Sequence, residues 1–99
     1  MVVDFSAEVV PSSVRISPDG SVTLRCSHNS SDRSVRYSWS REDGQPVAGF
    51  QFETIGRSRN GLRISSAGVG DSGVYICSVE TDSGTLTGRS DVFVGKFVF

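Results

Sequence analysis

The sequence predicts an all-β domain, a sandwich or a barrel, and three observations predict it. Short runs alternate apolar and polar residues with a period of two. Clusters of Gly, Pro, Ser, Asp and Asn punctuate these runs at intervals of roughly 8–12 residues. Helical periodicity is absent throughout. At 99 residues the chain fits one domain with one modest core. Its size lies just above the range in which covalent staples become obligatory.

The elements follow in order. Glu8 to Ile16 is a strand broken by Pro11, which suits an edge strand that switches sheets. Ser17-Pro18-Asp19-Gly20 is a turn. In Ser21 to Ser27, Val22, Leu24 and Cys26 share one face, with Thr23 and Arg25 on the other. His28 to Ser34 reads as a polar loop. Val35, Tyr37 and Trp39 face one way, and Arg36, Ser38 and Ser40 the other. Arg41 to Pro46 reads as a turn, Phe50 to Ile55 as a short edge strand, and Gly56 to Asn60 as a loop. Leu62 and Ile64 mark the next inward face, and Val69 to Gly73 a corner. Tyr75, Cys77 and Val79 alternate inward, Asp82-Ser83-Gly84 signals a hairpin, and Thr85 to Val94 closes the set with Val92 and Val94 inward.

Charge and cysteines narrow the function classes. The formal net charge is −1, so the chain as a whole is not built for a polyanion, and nucleic acid is not an expected partner. Lys96 is the only lysine among the basic residues. Cys26 and Cys77 lack the close spacing of a zinc or redox motif, and from spacing alone they read as a free buried pair or a disulfide. The start of the chain has no basic leader followed by an apolar core, and no run approaches the roughly 20 apolar residues of a membrane span, so direct membrane insertion is not expected. A fragment of a larger protein is the expected source, with residues 1–7 a leader, linker or added residues, 8–95 the domain and 96–99 a tail or linker.

One constellation identifies the fold more closely. Cys26 is followed by Trp39 and then by Asp71-Ser72-Gly73-Val74-Tyr75-Ile76-Cys77, within the longer pattern Leu62-x-Ile64-x-x-Ala67-x-x-x-Asp71-x-Gly73-x-Tyr75-x-Cys77. On these residues, from about Val9 to Val94, the chain resembles the immunoglobulin superfamily. The resemblance implies a Greek-key β-sandwich of two antiparallel sheets, with a Cys26–Cys77 disulfide between the layers and Trp39 packed against it. Such a bridge closes a loop of about 50 residues, is worth roughly 4 kcal/mol in the chain-entropy model, and implies an oxidising compartment. The resemblance further implies that the Tyr75 hydroxyl bonds to backbone at the preceding corner, where Gly73 permits a tight approach. Asp71 is expected to accept corner N–H groups or to pair with Arg57 or Arg59. Ala67 departs mildly from the family pattern, in which a larger aliphatic is usual.

The stretch from Trp39 to Leu62 has room for a C′ strand and a D strand but not for the C″ strand of a variable domain. This is similar to intermediate (I-set) domains of adhesion and matrix proteins. Tyr37-Ser38-Trp39-Ser40-Arg41-Glu42-Asp43-Gly44-Gln45-Pro46 is similar to repeats of perlecan-like basement-membrane proteoglycans and to stretches of cell-adhesion receptors.

Motifs that spell chemistry read better as structure. Gly68-Val69-Gly70-Asp71-Ser72-Gly73 matches G-x-G-x-x-G, but a dinucleotide site needs a helix next, and an alternating strand follows instead. A hydrolase base would have to be His28, the only histidine, which sits in a polar loop with no nucleophile elbow. One histidine beside committed cysteines makes a poor metal site, and Glu42 and Asp43 read as turn residues. No catalytic residue and no cofactor are therefore expected. Asn29-Ser30-Ser31 is an N-glycosylation sequon in a loop, which makes Asn29 a candidate for modification.

The expected function is a non-catalytic extracellular module of a matrix or cell-surface protein that contacts protein partners in adhesion or spacing. The alternative is a receptor domain that binds a defined ligand. On the strand pattern, the outer C–F–G face carries Arg36, Ser38, Val74, Ile76, Ser78, Glu80 and Phe93; Arg36, Val74, Ile76 and Phe93 are the candidate binding residues. End loops Ser27 to Ser34 and Thr81 to Gly88 offer a second surface. Arg25 and Arg63 are expected together on the other sheet, with Arg15 nearby, as a candidate site for a sulfated glycan.

Overall fold

A computed structural model describes residues 5–30, 35–47, 51–55 and 58–96, with backbone alone for 51–55 and 58–59. The alternating runs form eight strands: β1 (Ala7–Val10), β2 (Ser13–Ile16), β3 (Val22–His28), β4 (Arg36–Arg41), β5 (Gln51–Ile55), β6 (Ser58–Ile64), β7 (Gly73–Thr81) and β8 (Gly84–Val94). Among the described residues a single 3₁₀ turn, Val69–Asp71, is the other regular element. The strands assemble into two four-stranded sheets, ordered β1-β3-β6-β5 and β2-β8-β7-β4. Among the described residues no helix is long and apolar enough to cross a membrane.

Every strand pair is antiparallel except β2 with β8, which is parallel. That exception follows from Pro11. Proline supplies no N–H to a ladder, so the chain leaves the first sheet after Val10 and joins the second at Ser13. Both β1 and β2 lie at sheet edges, as the broken run implied. The crossing is pinned from below: buried Ser90 donates its hydroxyl to the Pro11 carbonyl at 2.6 Å.

The core lies between the layers and is made by the expected inward residues together with Val9. Val9, Leu24, Cys26, Trp39, Leu62, Ile64, Tyr75, Cys77, Val79, Val92 and Val94 are all buried. Cys26 and Cys77 form the disulfide, with Cα atoms 6.4 Å apart. Trp39 is the direct cross-strand partner of Cys77, so the indole lies beside the bridge. Ala67, small for its position, is buried and pairs its backbone with the β2–β3 turn: its N–H donates to Gly20 and its carbonyl accepts from Asp19.

Three local expectations change. Strand β4 continues through Arg41, whose side chain turns inward, so the turn begins at Glu42. Strand β6 begins at Ser58, within the stretch read as a loop. The strand after the turn, β5, joins β6 in the first sheet, and no strand flanks β4 on its outer side among the described residues. Regular structure also begins at Ala7, and Ser6 is hydrogen-bonded to Asn29, ahead of the expected boundary at residue 8.

Candidate interaction surface

Alternation along the second sheet sends one set of side chains outward. The β4–β7–β8 register arranges them in cross-strand rows. Arg36, Glu80 and Thr85 share one row; Ser38, Ser78 and Thr87 the next; Ser40, Ile76 and Arg89 the third; Val74 and Asp91 the fourth. Beside the far end of β8, Phe93 pairs with Arg15 of β2.

These rows show which candidate residues meet. Val74 and Ile76 are half-buried neighbours on adjacent rows. Phe93 is a diagonal neighbour of Val74 and is 50% exposed. Its ring lies along the strand onto Gly95: a methyl at Gly95 would meet ring carbons at 2.9 Å. Arg36 does not join this group. It sits beside Glu80, six residues along β7 from Val74, which is about 20 Å at strand rise. Arg36 thus belongs to the hairpin end of the sheet and Phe93 to the opposite end.

An ion pair crosses the apolar rows. Arg89, on β8, reaches over β7 to Glu42, just past the end of β4, with 2.6 Å between Nη2 and Oε2. The Glu42 N–H donates to the Val74 carbonyl, so the carboxylate is anchored at the Val74 row while the guanidinium starts from the Ile76 row. The pair therefore arches above Val74 and Ile76. Both partners are more than half exposed, so screening by water leaves it little net stability. Its consequence is chemical: a polar strap divides the apolar surface.

The corner below this face is held by a residue the sequence reading placed in a turn. Arg41 is 8% exposed. Its guanidinium donates to the carbonyls of Gly70 (2.9 Å) and Ser72 (2.8 Å), pairs with Asp43 (2.8 Å), and lies 5.4 Å from the Tyr75 ring centroid. Gly73 (φ +156°) leaves room for it: a methyl there would stand 3.1 Å from Nη2. The tyrosine corner is formed as expected, with the Tyr75 hydroxyl donating to the Asp71 carbonyl at 2.6 Å. Burial pushes the Tyr75 phenol up to about 12, against the pull of Arg41. Asp71 accepts from the Gly68 N–H at 2.8 Å. Arg57 and the Arg59 side chain, its expected partners, lie outside the described residues. The Asp43 carboxyl is held below the usual range, first by the Gln45 N–H and then by Arg41. A buried arginine at the end of a strand leaves no sequence signal beyond its alternation with Trp39 and Tyr37, which is the signal that finds it.

The first sheet corrects the arginine cluster. Arg25 and Arg63 do emerge on its outer face, as diagonal neighbours across β3 and β6. Arg15 does not join them. The sheet switch at Pro11 carries β2 to the other layer, so Arg15 lies next to Phe93 on the opposite face of the molecule.

At the hairpin end, Asn29 is exposed and its Oδ1 accepts from the Ser6 N–H at 2.6 Å. His28 is committed to its own loop: Nδ1 accepts from the Ser30 N–H at 3.1 Å, and the ring leans on Tyr37 with centroids 6.1 Å apart. Among the described residues no three His, Cys, Asp or Glu side chains gather as a metal site. An open groove of about 310 Å³ runs along the β2–β8 edge, lined by Ser13, Val14, Arg15, Asp91, Val92 and Phe93.

Comparison with known proteins agrees with this geometry. Protein borderless of Drosophila melanogaster is 32% identical over 56 residues, which are 57% of this chain and 7% of that protein. The N-terminal four Ig domains of Dscam1 isoform 1.9 superpose with a TM-score of 0.69 at 24% identity, covering 93% of this chain and 21% of theirs. A chain from a structure of T-cell specificity and activation by the bacterial superantigen toxic shock syndrome toxin-1 gives a TM-score of 0.73 at 20% identity, with 92% and 99% covered. The chain thus spans only a small part of borderless and about a fifth of the Dscam1 fragment. The immunoglobulin domain model matches residues 12–87, most of the chain, and this protein belongs to that family.

Proposed function

We propose that this chain is a non-catalytic extracellular immunoglobulin module of a multidomain matrix or cell-surface protein, and that it contacts protein partners through the outer face of the β2-β8-β7-β4 sheet. The observation that carries the reading is the apolar group Val74, Ile76 and Phe93 on an otherwise polar face, with Phe93 half exposed and held in place over Gly95. An aromatic side chain fixed on a rigid strand loses little rotamer freedom when a partner covers it, which is the usual character of an energetically dominant contact. The disulfide supports an oxidising compartment. Dscam1 carries such domains in series, which supports a place in a tandem array.

The domain is of intermediate type on this reading. Strand β2 flanks β8 as an added strand beside the C–F–G set, and β5 fills the D position. Asn29 is a proposed glycosylation site. It stands at the hairpin end, and from Leu86 to Phe93 along β8 is about 23 Å. A glycan there leaves the Phe93 end open to a partner.

The test is binding of the oxidised domain, immobilised on beads, to a panel of extracellular proteins. Phe93→Asp and Ile76→Asp each keep the native near-UV spectrum and lose binding at least about tenfold, as expected for central apolar contacts. Undiminished binding in both variants rejects this face as the contact surface.

A further inference from the structure

We propose that the free edge of β2 is a self-association site, and that its partner is the β2 strand of a second copy of this chain. The inference is separate from the face described above, because it rests on backbone register and charge at a sheet edge.

The register of the parallel ladder determines which backbone groups are free. The Ser12 carbonyl accepts from Asp91 and the Ile16 carbonyl from Gly95. In a parallel ladder this assigns the groups of residues 12, 14 and 16 to β8, so Ser13 and Arg15 turn their N–H and carbonyl groups to the other side. Among the described residues β2 is the last strand of its sheet on that side. An unpaired strand edge is a template for another strand.

The edge is self-complementary. Two β2 strands related by a two-fold axis through Val14 pair antiparallel, with Ser13 opposite Arg15 of the other copy and Arg15 opposite its Ser13. These are the residues whose backbone groups are free, so both pairs exchange two hydrogen bonds. The pairing joins the two sheets into one continuous eight-stranded sheet.

The side chains of the outer face then complement each other. Asp91 is the β8 neighbour of Ser13, and Phe93 is the β8 neighbour of Arg15. Across the two-fold axis, the row from one copy to the other reads Phe93, Arg15, Ser13, Asp91, and its mate repeats it in reverse. Arg15 thus faces the Asp91 carboxylate of the second copy with only the small Ser13 between them. Arg15 and Asp91 are both exposed and form no ion pair within the chain among the described residues. The same sheet shows that an arginine spans this gap. Arg89 reaches across the intervening strand β7 to Glu42 and closes to 2.6 Å. Two such pairs form in the dimer, one on each side of the axis.

Side-chain burial along so short a strand is small, so the dimer is weak, with Kd on the order of 10–100 μM at this interface size. Sedimentation of the purified oxidised chain between about 10 and 500 μM tests it. The expected result is a concentration-dependent dimer. Arg15→Glu and Asp91→Arg each place like charges across the axis and weaken it at least about tenfold, while the double variant Arg15→Glu/Asp91→Arg restores it. Ser13→Pro removes an edge N–H that the monomer does not use and also disrupts the dimer. Near-UV spectra of all four variants establish that each is folded. A chain that stays monomeric across the range overturns the proposal. So does a dimer indifferent to both single charge changes, or one that the double variant fails to restore. The measurement needs no other protein, so its outcome is independent of partner binding through the Phe93 face.

Discussion

Tyr75 keeps its proton well beyond the ordinary range of a phenol, because it is buried under the corner and the Asp71 and Asp43 carboxylates add to the effect against the opposing pull of Arg41. The consequence for stability has a definite sign. The unfolded chain loses this proton above about pH 10, while the folded chain holds it to about pH 12. Between those values the unfolded state binds fewer protons, so stability falls as pH rises, and below pH 10 this group contributes no slope. Tyr37 is shifted in the same direction by burial and adds to the effect. Urea titrations from pH 9.5 to 12 should show a declining stability that is shallower in Tyr75→Phe; an unchanged slope in that variant contradicts the assignment. The role of Tyr75 is legible from its position two residues before Cys77. The role of Arg41 is harder to read, because a charged residue followed by Glu42-Asp43-Gly44 has the composition of a turn. What places it inside is the set of backbone carbonyls at Gly70 and Ser72, about thirty residues away in the chain, and no local pattern encodes them.

At the scale of elements, the decisive feature is the switch at Pro11. Its break in the β1–β2 run is visible in the sequence because proline cannot donate to a ladder. The sheet switch is legible with it, but the partner strand is not, since the joining of β2 to β8 depends on a parallel register that alternation does not specify. Arg15, expected near Arg25 and Arg63, therefore lies on the other layer. Ser90 holds the switch. Its buried hydroxyl satisfies the Pro11 carbonyl, so Ser90→Ala leaves that acceptor without its partner. The expected cost is about 1–2 kcal/mol in a urea titration, accompanied by faster amide exchange in β2 than in β3. A loss below about 0.3 kcal/mol with unchanged exchange would show that the crossing is fixed by other contacts.

At the scale of the molecule, two layers and one covalent link define the platform on which every surface residue is placed. The layers are readable because inward residues recur at alternate positions on β3, β4, β6, β7 and β8, from Leu24 through Val94. The allocation of outward residues to rows was readable only in part, since register fixes it. It separates Arg36 from Phe93 and lays the Arg89–Glu42 pair across Val74 and Ile76. The surfaces proposed for partners and for self-association both stand on this sheet, and its position opposite the other sheet depends on the Cys26–Cys77 bridge beside Trp39. The most direct test is unfolding by urea, followed by Trp39 fluorescence, of the oxidised chain against Cys26→Ala/Cys77→Ala. The expected result is a loss of about 4 kcal/mol, the closure entropy of so long a loop. Equal stability of the two chains would contradict the claim that the bridge holds the layers together.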